Sequence, residues 1–390
     1  MSTNTWFTRT VFLMLCVSAG ILLRLSWGGS NNRPSTRGLL IADTKEPAST
    51  NATGDTYPRQ DESQTDIVIV LAYYRSGSTF LAEIFNQNAE AVYFFEPLRW
   101  FRESFFNETF YIYPGNTRRM GPMGTMAADK QAAFMVDVLK KLIHCDIEHL
   151  PKSVYFLNMN MRIWPFCNPE QKNLKDMENC FKEVGDTSDK CTDILKEVCT
   201  RFSFKAFKVI RLPLNDLDPI LGQYPNAKVI HLIRDPRGSI NSQRWLYEYC
   251  GLECAVHRHC NEHMLPDLIS RRTLEKRYPG RILQVIYEDV VEDPVLWSNR
   301  IYSFLGRTMP GNIESWLKRA TGAETDNGTW GTKRRNALET AHRWKTDMPL
   351  KMALQVDAIC AEVLKLLPMY EPAFRILRQQ NLSNANISKT

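Results

Sequence analysis

A chain of 390 residues, 44% of them hydrophobic, is long enough for one large domain or two ordinary ones around a buried core. Its formal net charge of +6 is modest, and the Lys and Arg residues are spread along the chain. That balance suits a site for a polyanion and excludes the dense basic patch of a dedicated nucleic-acid binder.

The first predicted element is a targeting segment. Residues 11–23 form an apolar run, with Trp6, Phe7 and Arg9 before it and Arg24, Leu25 and Trp27 after it. A spanning helix takes about 20 apolar residues. The stretch 6–25 approaches that length only with Arg9 and Arg24 snorkelling to the interfaces. The same run fits the apolar region of a cleaved signal, with Ser26 and Gly28 at plausible cleavage positions. Both readings place the remainder outside the cytosol. Sequons at Asn51, Asn107, Asn327, Asn381 and Asn386 agree with that compartment. So do the cysteines beyond this segment: Cys145, Cys167, Cys180, Cys191, Cys199, Cys250, Cys254, Cys260 and Cys360. Their odd number leaves one thiol free or linking two copies.

Residues 28–64 are rich in Ser, Thr, Asn, Asp and Pro and read as a flexible stem. Residues 66–72 then form a short apolar, β-branched run, the pattern of a fully buried strand, and helical spacing begins at Leu81. A second strand covers 91–95 and ends at Glu96-Pro97. The long middle, 100–203, has one helix pattern at 127–142 and four cysteines at 167–199, so it reads as an insertion stapled by disulfides. Alternation resumes with strands at 204–210, 227–233 and 282–287 and helices at 215–224, 238–248 and 294–305. Strands alternating with helices imply an α/β fold, a parallel sheet flanked by helices. Ligands of such sheets sit at the carboxyl ends of the strands, where Arg75, Glu96 and Arg234 fall.

Between the first strand and its helix lies Tyr73-Tyr74-Arg75-Ser76-Gly77-Ser78-Thr79-Phe80. A strand, a tight Gly/Ser turn and a helix aim free backbone N–H groups at an anion, with the helix dipole assisting. The segment is not a Walker A loop, which needs two spaced glycines and a Lys; here one Gly stands behind an Arg. The loop suits a phosphate-like group other than ATP. A second feature is Arg234-Asp235-Pro236-Arg237-Gly238-Ser239-Ile240-Asn241-Ser242. Asp235 is a natural N-cap and Pro236 suits the first helical position. Each of two strands thus ends in an Arg that leads into a Ser-bearing helix start.

These residues resemble the sulfotransferases that use 3′-phosphoadenosine-5′-phosphosulfate (PAPS), in their Golgi carbohydrate-sulfotransferase form. That family has a 5′-phosphosulfate loop after its first strand, which Arg75 to Phe80 resembles, and an Arg followed eight residues later by Ser, as in Arg234 and Ser242. Phe95-Glu96-Pro97-Leu98, Tyr287-Glu288-Asp289 and a stretch from Arg335 to Trp344-Lys345 also match in order. The resemblance is closest to enzymes sulfating the 6-hydroxyl of galactose, N-acetylglucosamine or N-acetylgalactosamine.

The resemblance implies a P-loop-like sheet and sulfuryl transfer from PAPS, without a metal, to a glycan on a glycoprotein or proteoglycan. Ser76, Gly77, Ser78, Thr79 and Phe80 would hold the 5′-phosphate through amides and hydroxyls. Arg75 would stabilise charge on the departing bridging oxygen. Arg234 and Ser242 would grip the 3′-phosphate, and Arg335 would close over the cofactor. Glu96 is the candidate general base, its pKa expected to be raised by Phe94, Phe95 and Trp100; the alternative is a Glu that bonds the loop's backbone or pairs with Arg75 and transfers no proton. The resemblance also favours a single-pass type II Golgi enzyme: tail 1–9, signal-anchor 10–27, stem 28–64, lumenal domain 65–375 and glycosylatable tail 376–390.

Other candidates have blander readings. Cys250, Cys254, Cys260, His257, His259 and His263 form a Cys/His-rich patch whose spacings match no standard zinc finger. His231 reads as a satisfied core histidine, and Glu288 and Asp289 as carboxylates that fix the fold at a strand end. A tyrosyl-protein sulfotransferase shares donor and compartment, and a non-catalytic glycan-binding protein on the same fold is the alternative from another class.

Overall fold

The computed structural model describes residues 65–98, 110–113, 116–120, 128–150, 190–243, 247–322, 336–368 and 372. Outside them lie the tail 1–9, the candidate anchor 10–27, the stem 28–64, the end of the chain at 376–390, all five sequons, Trp100, Cys167, Cys180 and Arg335.

The strands are β1 (Asp66–Leu71), β2 (Ala91–Phe95), β3 (Phe110–Tyr113), β4 (Asn116–Met120), β5 (Phe204–Val209), β6 (Ala227–Ile233) and β7 (Ile282–Ile286). Five of them form one parallel sheet in the order β2-β5-β1-β6-β7. β1 lies in the centre, its Leu71 level with Val209 of β5 and His231 of β6. β3 and β4 pair separately as an antiparallel hairpin.

Period-two alternation divides the core. Ile67, Ile69 and Leu71 of β1 face one apolar cluster, and Val68 and Val70 face the other. Because both faces are covered, the strands read as near-continuous apolar runs. The first cluster takes in α2 (Ala128–Ile143), α3 (Lys190–Arg201) and α4 (Asp218–Gln223). The second contains α1 (Ser78–Asn86), α9 (Pro294–Leu305) and α10 (Gly311–Thr321). A third cluster forms beyond the end of β6, around α5 (Pro236–Asn241) and α6 (Tyr247–His257). It continues through a π-helical turn (Arg258–Met264), α7 (Leu265–Arg277), α13 (Leu350–Ile359) and α14 (Ala361–Leu366). The short helices α8 (Tyr287–Glu292), α11 (Ala337–His342) and α12 (Trp344–Asp347) complete the described chain.

Disulfides join Cys145 to Cys199, Cys250 to Cys254 and Cys260 to Cys360. The first staples α3 to the turn after α2; the last ties the π-helical turn to the end of α13. Cysteines of the Cys/His-rich patch are therefore oxidised. Among the described residues no cluster of His, Cys, Asp and Glu is arranged to hold a metal.

Several elements differ from expectation. The helix expected at 238–248 is two, α5 starting at Pro236 under the Asp235 cap and α6 starting at Tyr247. The helix expected at 215–224 begins as a 3-10 turn (Leu214–Leu217), because Pro219 fits only the first turn of α4. Glu288 and Asp289 do not end a strand: β7 stops at Ile286, and both lie in the first turn of α8. The hairpin was not expected, since Asn116–Met120 is polar and lacks apolar alternation.

Candidate active site

Read across the sheet, the carboxyl ends carry a charged row. Glu96 follows β2, Lys208 and Arg211 come from the end of β5, Arg75 follows β1, Arg234 follows β6 and Glu288 follows β7. Cations occupy the middle and a carboxylate closes each side.

The loop after β1 is shaped by its own side chains. Ser76 turns inward: its hydroxyl donates to the Tyr73 carbonyl at 2.8 Å and accepts from the Tyr73 amide at 3.3 Å. Gly77 caps α1 with φ +83°, and a Cβ there would collide with the Tyr287 ring, so only glycine fits. Arg75 also adopts a positive φ, 59°, as does Glu96 at 46°. Such strained backbone persists where surrounding structure over-determines it, and it clusters at functional sites. The amides of Ser78, Thr79 and Phe80 are the first three of α1 and have no acceptor within the helix. Phe80's ring is a core group, 5.9 Å from the Trp316 ring, so only its amide could serve a ligand.

The two Arg motifs are joined. Arg75 Nε donates to Ser242 Oγ at 3.0 Å, and Arg234 Nη1 donates to the Arg75 carbonyl at 2.9 Å. Arg234 Nη2 donates to the Ala341 carbonyl at 3.2 Å, and the guanidinium lies 4.8 Å from the Tyr287 ring centre. Arg234 Nε is buried without a hydrogen-bond partner. Its nearest carboxylate oxygen, Glu288 Oε1, is 3.9 Å away and accepts from the Asp235 amide instead. A buried guanidinium N–H with no acceptor fits an anion arriving from outside the chain. Burial raises the Glu288 carboxyl to about 7; Arg234 pulls it down and Asp235 adds to the rise.

Arg237 is a fold residue: it pairs with Asp235 at 2.7 Å and with Asp357 at 3.4 Å. Its guanidinium lies 4.2 Å from the Trp344 ring centre, which places Trp344 behind the Arg234–Ser242 stretch.

Glu96 does not have the raised pKa expected of it. Burial pushes it up, but Lys208 at 2.5 Å and Arg211 at 2.7 Å outweigh burial and hold it at about 2. Nor is Arg75 its partner in those bonds. Phe94 stacks on Phe207 with centroids 4.6 Å apart, and Phe95 lies under Lys208 Nζ at 4.1 Å, so the phenyl rings do not isolate the carboxylate from cations.

Lys208 and Arg211 were missed by sequence reasoning. Lys208 Nζ also donates to Thr79 Oγ1 at 3.0 Å, and Arg211 Nη2 to the Tyr74 hydroxyl at 2.7 Å, so both reach the β1 loop. The available signal was a lysine in a buried strand, which needs a partner. Lys205 shows the same signal with a structural outcome. It faces the opposite side of β5, donates to the Ile143 carbonyl at 2.6 Å, and burial lowers it to about 8.

His231 is a fully buried core histidine, held at about 3 by burial and by Arg271, with Nε2 2.7 Å from the Tyr73 hydroxyl. Tyr73 in turn donates to Asp267 Oδ2 at 3.0 Å.

Among solved structures, a sulfotransferase domain from the Synechococcus PCC 7002 olefin synthase aligns with 80% of this chain and 98% of its own, at 17% identity and TM-score 0.41. Among curated proteins, carbohydrate sulfotransferase 3 of Mus musculus is 27% identical over 82% of this chain and 71% of its own length. Carbohydrate sulfotransferase 1 of Homo sapiens is 28% identical over 76% of this chain and 77% of its own. The family described as "Sulfotransferase family" matches residues 67–311, a span that takes in the β1 loop, Glu96, Lys208, the Arg234–Ser242 motif and, apart from Asp66 at the start of β1, the five strands of the main sheet, and the chain belongs to that family.

Proposed function

We propose that this sheet edge transfers a sulfuryl group from PAPS to a sugar hydroxyl, the 6-hydroxyl of galactose, N-acetylglucosamine or N-acetylgalactosamine on a glycoprotein or proteoglycan. The observation that carries the reading is the link between the two motifs, Arg234 to the Arg75 carbonyl and Arg75 to Ser242, beside an unpartnered Arg234 Nε. Relatives named as carbohydrate sulfotransferases support a sugar as the acceptor.

The donor supplies a sulfuryl group already bonded to a phosphate oxygen. Ser76 and Gly77 shape the loop, and the first amides of α1, at Ser78, Thr79 and Phe80, receive the 5′-phosphate. Arg75 lies against the bridging oxygen, with Lys208 beside it, where charge grows as the S–O bond breaks. Arg234 and Ser242 hold the 3′-phosphate, with Arg335 assigned to the same group. Glu96 takes the acceptor proton late. Once the hydroxyl oxygen carries the new S–O bond its proton is strongly acidic, so a carboxylate of pKa about 2 is still a competent acceptor.

The same reading makes 10–27 a signal-anchor, with the catalytic domain in the Golgi lumen; among the described residues no helix is long and apolar enough to cross a membrane. Of the cysteines beyond that segment, Cys167, Cys180 and Cys191 are the candidates for the odd thiol, which would join two copies.

The test is incubation of the full chain with labelled PAPS and separate panels of oligosaccharides and tyrosine peptides. Transfer to a glycan is expected; transfer to peptide alone, or binding of 3′,5′-adenosine bisphosphate with no transfer, would overturn it. Arg75→Ala is expected to lower turnover by about two to three orders of magnitude.

A further inference from the structure

Tyr73 opens the phosphosulfate loop, and its bonds divide into two sets. The backbone is closed locally, since the Ser76 hydroxyl bonds both the Tyr73 amide and the Tyr73 carbonyl. The side chain is tied to distant elements. Its hydroxyl donates to Asp267 Oδ2 of α7, 194 residues further along the chain, and lies 2.7 Å from His231 Nε2 of β6. The imidazoles of His231 and His259 pack edge-on against the ring, with centroids 5.8 and 5.9 Å away. All four side chains are buried.

The inventory of donors places the protons. A phenol has one proton, and Tyr73 gives it to Asp267, so toward His231 it can only accept. His231 therefore carries its proton on Nε2, in a ring that burial and Arg271 keep neutral. Its other nitrogen, Nδ1, has no hydrogen-bond partner. Tyr73 stays protonated as well, because burial, and then the Asp267 carboxylate, push the phenol upward. Donation runs one way, from His231 through Tyr73 to Asp267.

The second oxygen of Asp267 accepts from the Leu214 amide at 2.7 Å. Leu214 starts the 3-10 turn that follows Arg211-Leu212-Pro213. One buried carboxylate thus bonds both the start of the donor loop and the segment leading away from Arg211, which itself bonds Glu96. Burying a carboxylate is costly. Apolar side chains would fill the same space without that cost. They would not fix a hydroxyl of one segment and an amide of another at hydrogen-bond distance.

We propose that Tyr73 and Asp267 are positioning residues that hold the phosphosulfate loop at a set distance from the end of β5, so that the first amides of α1 meet the 5′-phosphate. This rests on the sulfotransferase reading above. The effect belongs to the 5′ end of the donor, because the groups assigned to the 3′-phosphate, Arg234 and Ser242, take their places from β6 and the end of α5.

The test compares two ligands on the full chain by calorimetry: 3′,5′-adenosine bisphosphate, and adenosine 3′-phosphate, which lacks the 5′ group. Tyr73→Phe keeps the ring and removes the hydroxyl; Asp267→Asn keeps the shape and removes the charge. Each is expected to weaken the bisphosphate about tenfold, as loss of a hydrogen bond to a charged group does. Affinity for adenosine 3′-phosphate should stay within about twofold, which also shows that the variant folds. The double variant should lose no more than the weaker-binding single one, because the two residues act through one bond. Loss confined to the bisphosphate in either variant supports the assignment. Both ligands weakened alike, or both unchanged, in the two variants would overturn it and leave the pair a purely structural role. A wild-type chain that binds the bisphosphate no more tightly than adenosine 3′-phosphate would instead overturn the 5′-phosphate loop, and the parent reading with it.

Discussion

Two carboxylates, Glu96 buried and Glu288 part-buried, close the same sheet edge from opposite sides, and their acidities move in opposite directions. Glu96, after β2, is held at about 2, while Glu288, after β7, is raised to about 7. Burial pushes both upward. What separates them is how closely a cation approaches: Glu96 has Lys208 and Arg211 at 2.5 and 2.7 Å, whereas Glu288 has Arg234 Nε at 3.9 Å and the Asp235 carboxylate nearby. At short range the two cations and their shared carboxylate lock into a bonded frame. At long range they stay unbonded, and the cation keeps a donor for a ligand. The β2–β5 side is thus a fixed frame around the proposed acceptor, and the β6–β7 side an adjustable one around the proposed 3′-phosphate.

The largest expected effect breaks the frame. Glu96→Gln leaves Lys208 and Arg211 buried without their carboxylate, a change expected to cost about 3–5 kcal/mol in chemical denaturation. Adding Lys208→Met should restore part of that loss, because the excess buried charge goes with it. Turnover of Glu96→Gln should fall about a hundredfold or more even where it is folded. Near-full turnover would show that Glu96 only positions its cations and takes no proton. On the adjustable side, Ser242→Ala is expected to leave stability within about 1 kcal/mol and raise the donor KM about tenfold. A stability loss as large as that of Glu96→Gln would show that the two sides are equally locked.

These differences were only partly legible in the sequence. The central strands were, because parallel strands covered on both faces read as continuous apolar runs; β6 begins and ends where the pattern does. The Arg75-Ser76-Gly77 turn was legible because a glycine between a strand and a helix marks a local backbone demand. Glu96 was legible in position and not in acidity, since its partner Lys208 lies 112 residues further along the chain. Lys208 and Arg211 were obscured by the apolar run around them. In the Cys/His-rich stretch the cysteines drew attention to metal chemistry, yet Cys260 pairs with Cys360 and Cys250 with Cys254. What decided each case was a partner distant in sequence.

The smallest expected effect is the most specific to the adjustable side. A carboxyl with its folded pKa raised to about 7 binds its proton more tightly in the folded chain than in the unfolded one. Its contribution to stability is full below the unfolded value of about 4.3 and is lost as pH rises through about 7. Across that window Glu288 gains a negative charge 3.9 Å from Arg234 Nε, facing the group that would receive the 3′-phosphate. Affinity for 3′,5′-adenosine bisphosphate should therefore fall as pH rises from about 6 to about 8, relative to Glu288→Gln, in which that site cannot ionise. The comparison between the two proteins removes the ligand's own titration. A ratio of a few-fold that develops around pH 7 is expected in calorimetric titrations, and Glu288→Gln should show a flatter stability profile over the same range. A ratio independent of pH would mean that bound phosphate and Glu288 do not sense each other, and Arg234 would then hold its ligand on a side away from the carboxylate.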